Sequence, residues 1–193
     1  MKLNLGCGQN RLEGYVNVDM EPNLKPDVLA NLCVFWPWDD NSVEEVVFNH
    51  SLEHMASWQV VFKELYRVCK DGTLIHIVVP SVRHDDWLND PTHVLRVTPE
   101  FMSLLSRKNC ARFRELHGAN SPLADYIGVD FDLVSAEHVL DPGFAHLQND
   151  PAVQELIRTR NNVIKEVKMV LRAVKGGAAV EPELALGAGN GAR

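Results

Sequence analysis

Two short apolar strands joined by a glycine turn constrain this chain more than any other feature. Leu3-Asn4-Leu5 reads as a strand, Gly6-Cys7-Gly8 as a tight turn, and Tyr15 to Val18 as a second strand ending on Asp19. Glycine lets the backbone approach a ligand with no Cβ in the way, and a carboxylate at a strand tip can accept hydrogen bonds from both vicinal hydroxyls of a ribose. The pattern predicts an α/β sheet with a nucleoside-type ligand at its carboxyl edge. A lone Gly-x-Gly turn often does nothing but turn, so the reading depends on the rest of the chain.

Strand and helix signals then alternate, as in a parallel sheet with crossover helices. Asp27 to Ala30 is a third strand candidate. Trp36-Pro37-Trp38 and the turn-forming run Asp39-Asp40-Asn41-Ser42 lead into a fourth, Glu44 to Phe48. From Ser51 to Lys70 the apolar residues Leu52, Met55, Phe62, Leu65 and Cys69 recur at helical spacing, which predicts an amphipathic helix of about five turns. Asp71-Gly72 is expected to stop it, and the apolar run Leu74 to Val79 to form a central strand covered on both faces. Residues 81–100 are polar and aromatic without a clean period, which predicts a long functional loop or lid. A helix from Pro99 to about Lys108, a strand around Phe131 to Ser135 and a helix starting near Pro151 come next. Val163 to Val174 alternates only partly and reads as a strand or a helix. The Gly- and Ala-rich residues 176–193 read as a flexible extension of a domain spanning 1–175, in which 81–130 supply a lid.

The chain has 193 residues, 46% of them apolar, which is enough for one domain with a real core, and no apolar run approaches the roughly 18 residues that a membrane span needs. Met1-Lys2-Leu3 runs directly into the first strand, so a cytoplasmic location without a leader peptide is expected. Cys7, Cys33, Cys69 and Cys110 show no paired spacing and read as reduced thiols. A formal charge of −7 disfavours nucleic acid as a partner, and the local group Arg107, Lys108, Arg112 and Arg114 reads as a solvated helix face.

Four segments in order carry a resemblance. Leu3 to Gly8, Val16 to Asp19, Asp39 to Val43 with Asn49-His50-Ser51-Leu52-Glu53-His54, and Leu65 to Gly72 resemble successive blocks of class I S-adenosylmethionine (SAM)-dependent methyltransferases, of the small type 11-like kind. The resemblance is strong over residues 3–80 and holds only in outline beyond. It implies a Rossmann-like three-layer sandwich around a mostly parallel seven-stranded sheet whose last strand is antiparallel, which favours the strand reading of Val163 to Val174. It also implies SAM as cofactor. Gly6, Cys7 and Gly8 would pass beneath its methionine part, Asp19 would hold the ribose, Met20 would pack on the adenine, Asn31 and Leu32 would meet the adenine edge, and Asn49 and His50 would line the methionine end.

Three departures stand out. The family usually has a carboxylate where this chain has Asn4 and a third glycine where it has Asn10, and only a loop or a single turn fits between Gly8 and Tyr15, where parallel strands normally need a crossover of ten or more residues. A competing pattern is also present: His50-Ser51-Leu52-Glu53-His54 fits the His-x-x-Glu-His zinc peptidase motif. Its position within the methyltransferase blocks disfavours that assignment, so no metal is expected and His54 reads as a hydrogen-bonded residue at the pocket wall.

The acceptor side is read from residues 81–100. Methyl transfer from a sulfonium is an in-line displacement, so alignment supplies much of the rate, and a base is needed only where the acceptor must lose a proton. His93 and Asp90, with His84 nearby, are the candidate catalytic residues, a histidine oriented by a carboxylate to deprotonate a hydroxyl. The bland alternative is that Asp90 and Thr92 cap a turn around Pro91 while His93 satisfies backbone groups. Asp90-Pro91-Thr92-His93-Val94 is similar to a stretch of methyltransferases that modify glycans and sugars. The expected activity is methylation of a small polar molecule or sugar at oxygen. The alternatives are a SAM-binding protein that lost its chemistry and a nicotinamide-dependent oxidoreductase, the latter disfavoured by the missing Gly-x-Gly-x-x-Gly spacing. Oligomeric state is not readable from the sequence.

Overall fold

The computed structural model describes residues 1–176. Seven strands form one sheet: β1 Lys2–Leu5, β2 Val16–Asp19, β3 Val28–Leu29, β4 Val43–Asn49, β5 Cys69–Pro80, β6 Phe131–Leu140 and β7 Ile164–Ala173. Their order is β3-β2-β1-β4-β5-β7-β6, with β7 antiparallel to both neighbours and the other pairs parallel. Val163 to Val174 is thus a strand, and the mostly parallel seven-stranded expectation holds. The central strands carry the core: Leu3, Leu5, Val46, Phe48, Ile75, Ile77 and Val79 are buried, as are Phe62 and Leu65 of helix α1, Trp58–Val68. A smaller cluster of Leu140, Val153 and Val163 sits beneath a 3-10 turn, Pro142–Leu147, and a later helix, Ala152–Thr159. All but Gly176 of the expected C-terminal extension, 176–193, lies outside the described residues.

The β1–β2 crossover contains no helix. Strands of four residues are only about 13 Å long, so residues 6–15, which can reach about 33 Å when extended, suffice to return the chain to the start of a parallel neighbour. A polar clasp holds this loop. The Asn4 side-chain amide, buried at 2% exposure, donates to the Asn10 carbonyl and to Asn17 Oδ1, both at 2.8 Å. Asn17 Nδ2 in turn donates to the Leu12 and Tyr15 carbonyls and to Asp27, and Arg11 pairs with Asp27. Asn4 therefore serves the crossover: its donor group bridges two oxygens that a carboxylate would repel.

Three elements differ from the expected ones. The predicted five-turn helix over 51–70 is a 3-10 turn at Leu52–His54 followed by α1, because Met55 is extended and the Glu53 carbonyl accepts from the Val94 and Leu95 amides, both at 2.9 Å, instead of a helical partner. That helix ends at Val68. Asp71 and Gly72 lie instead in a bulge of β5, where the partner shifts from Cys69 opposite Val43 to Leu74 opposite Glu45. The helix expected over 99–108 is likewise divided into Pro99–Ser103 and Arg107–Glu115, with Ser106 Oγ donating to Asp132 and the Arg107 amide to Asp130. Residues 81–98 are irregular apart from α2, Asp85–Leu88.

Candidate active site

The glycine turn and Asp19 form one unit at the carboxyl ends of β1 and β2. The Gly6 and Cys7 amides both donate to the Val18 carbonyl at 2.9 Å, with Gly6 at φ +67° and Gly8 at φ +52°. The Gly8 amide donates to Asp19 Oδ2 at 2.8 Å and the Glu21 amide to Oδ1 at 3.0 Å, so each carboxylate oxygen is fixed by one backbone N–H and keeps accepting capacity for a ligand. A Cβ on Gly8 would meet nothing within 4 Å, which leaves the backbone there open. A nucleoside cofactor fits such a cradle of bare backbone beside an oriented carboxylate.

The remaining expected cofactor residues lie at the same edge of the sheet. Met20 is 68% exposed, free to cover a flat ligand. The Ala30 amide donates to the Asp19 carbonyl, which brings the end of β3 beside it. Asn31 accepts from the Cys33 amide through Oδ1, while the buried Leu32 offers its carbonyl to Trp36 Nε1. Asn49 ends β4, and His50 follows in a left-handed conformation, with Nε2 3.2 Å from Glu166 Oε1 and Nδ1 3.7 Å from Glu53 Oε1. The carboxylate of Glu53, with that of Glu166, raises the His50 pKa against the opposing effect of burial.

On the acceptor side, His93 lies where the turn at Asp90 meets Glu53. Its Nδ1 is 3.1 Å from the Trp87 carbonyl, and its Nε2 is 3.7 Å from Asp90 Oδ2 and 4.0 Å from Glu53 Oε1. A carbonyl can only accept, so Nδ1 donates to it, and Nε2 is the nitrogen that faces the two carboxylates. Asp90 Oδ1 accepts from both the amide and the hydroxyl of Thr92, and these bonds hold its pKa below the usual carboxylate value. The cap around Pro91 and the His93–carboxylate grouping are therefore both present. His93 also lines a cavity of about 610 Å³ whose walls include Trp58, Trp87, Arg96, Phe101 and Leu123.

His84 lies apart from this group. It is buried at the start of α2, where Nδ1 accepts from the Asp86 amide and Nε2 faces Asp141 Oδ2 at 3.3 Å. Both ring nitrogens are engaged in holding the loop. Three residues beside this cavity are not among those the sequence singles out: Glu53, which stands in the sequence only as part of a motif, and Trp58 and Phe101, whose spacing looks like ordinary core packing. No sequence signal separates aromatic residues that wall a cavity from those that fill one.

Residues 3–77 match the model of a methyltransferase domain family. Among solved structures, the chain is similar to a SAM-dependent methyltransferase from Archaeoglobus fulgidus, at 16% identity over 89% of this chain and 85% of that one, with a TM-score of 0.56. It is also similar to the YcgJ protein of Bacillus subtilis, at 11% identity over 91% and 92% with a TM-score of 0.52, and to the [4+2]-cyclase SpnF, at 14% over 91% and 75% with a TM-score of 0.54. No curated protein matches in sequence. Strand order and the glycine turn joined to Asp19 are those of the Rossmann-like fold of SAM-dependent methyltransferases, and the segment matching that domain family covers less than half of this chain. The matched segment runs from β1 into β5.

Proposed function

We propose that this enzyme methylates an oxygen atom of a small polar molecule or sugar. The observation that carries the reading is the placement of His93: one histidine lines the aromatic cavity and sets its Nε2 beside the Glu53 and Asp90 carboxylates. The cofactor supplies a methyl group on a positively charged sulfur. Asp19 would receive the ribose hydroxyls on the lone pairs left free by Gly8 and Glu21, with Met20 over the adenine, Asn31 and Leu32 at its edge, and Asn49 and His50 at the methionine end. An acceptor hydroxyl entering the cavity would give its proton to His93 Nε2 as the oxygen attacks in line, and the two carboxylates would stabilise the imidazolium formed. Aromatic walls from Trp58, Trp87 and Phe101 suit the apolar face of a sugar ring, and the Trp87 indole N–H, buried with no partner among the described residues, can donate to one of its oxygens. His84 acts as a positioning residue that holds α2 and, with it, Trp87.

The test combines calorimetry with S-adenosylhomocysteine and mass spectrometry of sugar and polyol acceptors incubated with SAM. His93→Ala should bind S-adenosylhomocysteine normally and lose product formation. Full turnover by that variant overturns the assignment of the base. A second reading, a SAM-binding protein without transfer activity, draws on Asn4, whose side chain is committed to the crossover and leaves the methionine end without the family's usual carboxylate. The likeness to SpnF fits the general rule that one fold can carry different chemistries. Cofactor binding with no methylation of any acceptor tried would favour that second reading.

A further inference from the structure

The geometry points to a divalent transition-metal site formed by Glu53, His54 and His93, and we propose that it binds a zinc-like cation. One ligand atom from each of the three residues lies within 4.8 Å of the other two, close enough for a small ion to draw them together. Two further observations point to an ion. The first is Glu53: its side chain is 1% exposed, and neither carboxylate oxygen has a hydrogen-bond partner among the described residues. A carboxylate withdrawn from water without a bonded partner is expensive, and a bound cation is the usual remedy.

The second is the orientation of the two imidazoles. His93 Nδ1 donates to the Trp87 carbonyl. The Thr92 hydroxyl donates to Asp90 Oδ1 at 2.6 Å, so the 3.0 Å contact between Thr92 Oγ1 and His54 Nδ1 must be a bond donated by His54. Each ring thus donates from Nδ1 to an oxygen acceptor, which leaves Nε2 as the nitrogen that could bind an ion. Histidines that bind metals are characteristically held this way, with the second nitrogen donating to a carbonyl or another oxygen. The rings sit 4.7 Å apart between centroids, so the two rings reach the site together. Two imidazoles and one carboxylate are the donor set of a three-ligand zinc site with a position left for water or substrate.

This set is not that of the His-x-x-Glu-His pattern, which would use His50 and His54 from one helical turn. His50 sets Nε2 3.2 Å from Glu166 and Nδ1 3.7 Å from Glu53 and so flanks the grouping without joining it, while His93 comes from a loop about forty residues further along the chain. The ion and an acceptor proton would fill the same lone pair of His93, so the metal-bound and proton-accepting forms of the site are alternatives. Metal binding itself does not depend on the methyl-transfer reading.

The test uses the untagged full chain, freed of metal by a chelator and titrated with Zn²⁺ by calorimetry and with Co²⁺ by visible absorption. One equivalent should bind, and the Co²⁺ form should show the intense visible bands of low-coordinate cobalt. Glu53→Gln and His54→Asn should each weaken binding at least tenfold, with folding checked by circular dichroism. The exposed position of His54 keeps the test open should the buried Glu53 variant fail to fold. His138→Asn, at an exposed position of β6, should leave the affinity unchanged. Absence of stoichiometric binding, equal affinity in the His54 variant, or loss of binding in the His138 variant each overturns the assigned site. S-adenosylhomocysteine affinity, measured on the same samples, reports separately on the cofactor reading.

Discussion

Replacing Gly6 with alanine tests how the cofactor turn is built. Gly6 has φ +67°, and a Cβ added there would fall well inside van der Waals distance of Ser51 Cβ and 3.0 Å from Ser51 Oγ. Ser51 cannot easily withdraw, because it is buried and its hydroxyl donates to the Leu5 carbonyl at 2.7 Å. Two costs add: about 1 kcal/mol for a left-handed alanine, and about 1–3 kcal/mol for forcing an extra methyl into packed space. Gly6→Ala should therefore lower unfolding stability by roughly 2–4 kcal/mol. Removing the Ser51 Cβ isolates the second part. In a Ser51→Gly background the same change should cost only the backbone share, about 1 kcal/mol, giving a coupling of about 1–3 kcal/mol in a double-mutant cycle. Gly8→Ala is the matched control: with φ +52° and open space around its Cβ, it should lose about 1 kcal/mol whatever occupies position 51. Urea unfolding of the variants by circular dichroism measures all of these. Equal costs for Gly6→Ala in both backgrounds would refute the idea that close approach of the β1 turn to Ser51 fixes the glycine.

Further outcomes are expected at neighbouring positions. Asp19→Ala should weaken SAM binding at least tenfold, about 1.4 kcal/mol, since the substitution frees the Gly8 and Glu21 amides along with the ligand's hydroxyls, and an unchanged calorimetric Kd would count against the role of Asp19. Asn4→Asp, which restores the family's usual residue type, should destabilise the fold by about 2 kcal/mol by setting a carboxylate against two oxygens, and a gain in stability would contradict the clasp. Asp27 has its pKa lowered to about 2, first by the Asn17 amide and side chain and then by Arg11. A group whose pKa is lower in the folded state stabilises above its unfolded value and loses that contribution as pH falls, so thermal melting of wild type should converge on that of Asp27→Asn between about pH 4 and pH 2. Parallel melting curves for the two proteins over that range would remove Asp27 from the set of acid-sensitive groups.

Local chemistry suffices to read the first half of the fold from sequence. Apolar runs of four to seven residues ending in glycine or an acid read as short buried strands, and Gly6, Gly8 and Asp19 at their spacing point to a turn that leaves bare backbone beside a carboxylate. The resemblance of four ordered blocks extended this to a mostly parallel seven-stranded sheet with an antiparallel last strand, including the ambiguous segment at 163–174, where alternation alone left strand and helix open. Tertiary structure decided the rest, because the deciding partners are distant in sequence. Periodicity over 51–70 is helical, yet the Glu53 carbonyl is claimed by amides at 94 and 95, and the helix breaks there. Asn4 looks like a lost carboxylate until Asn10 and Asn17 close around it. His93 stands out in the sequence as a candidate, but its partner Glu53 does not; only folding removes Glu53 from water and sets it 4.0 Å from His93 Nε2.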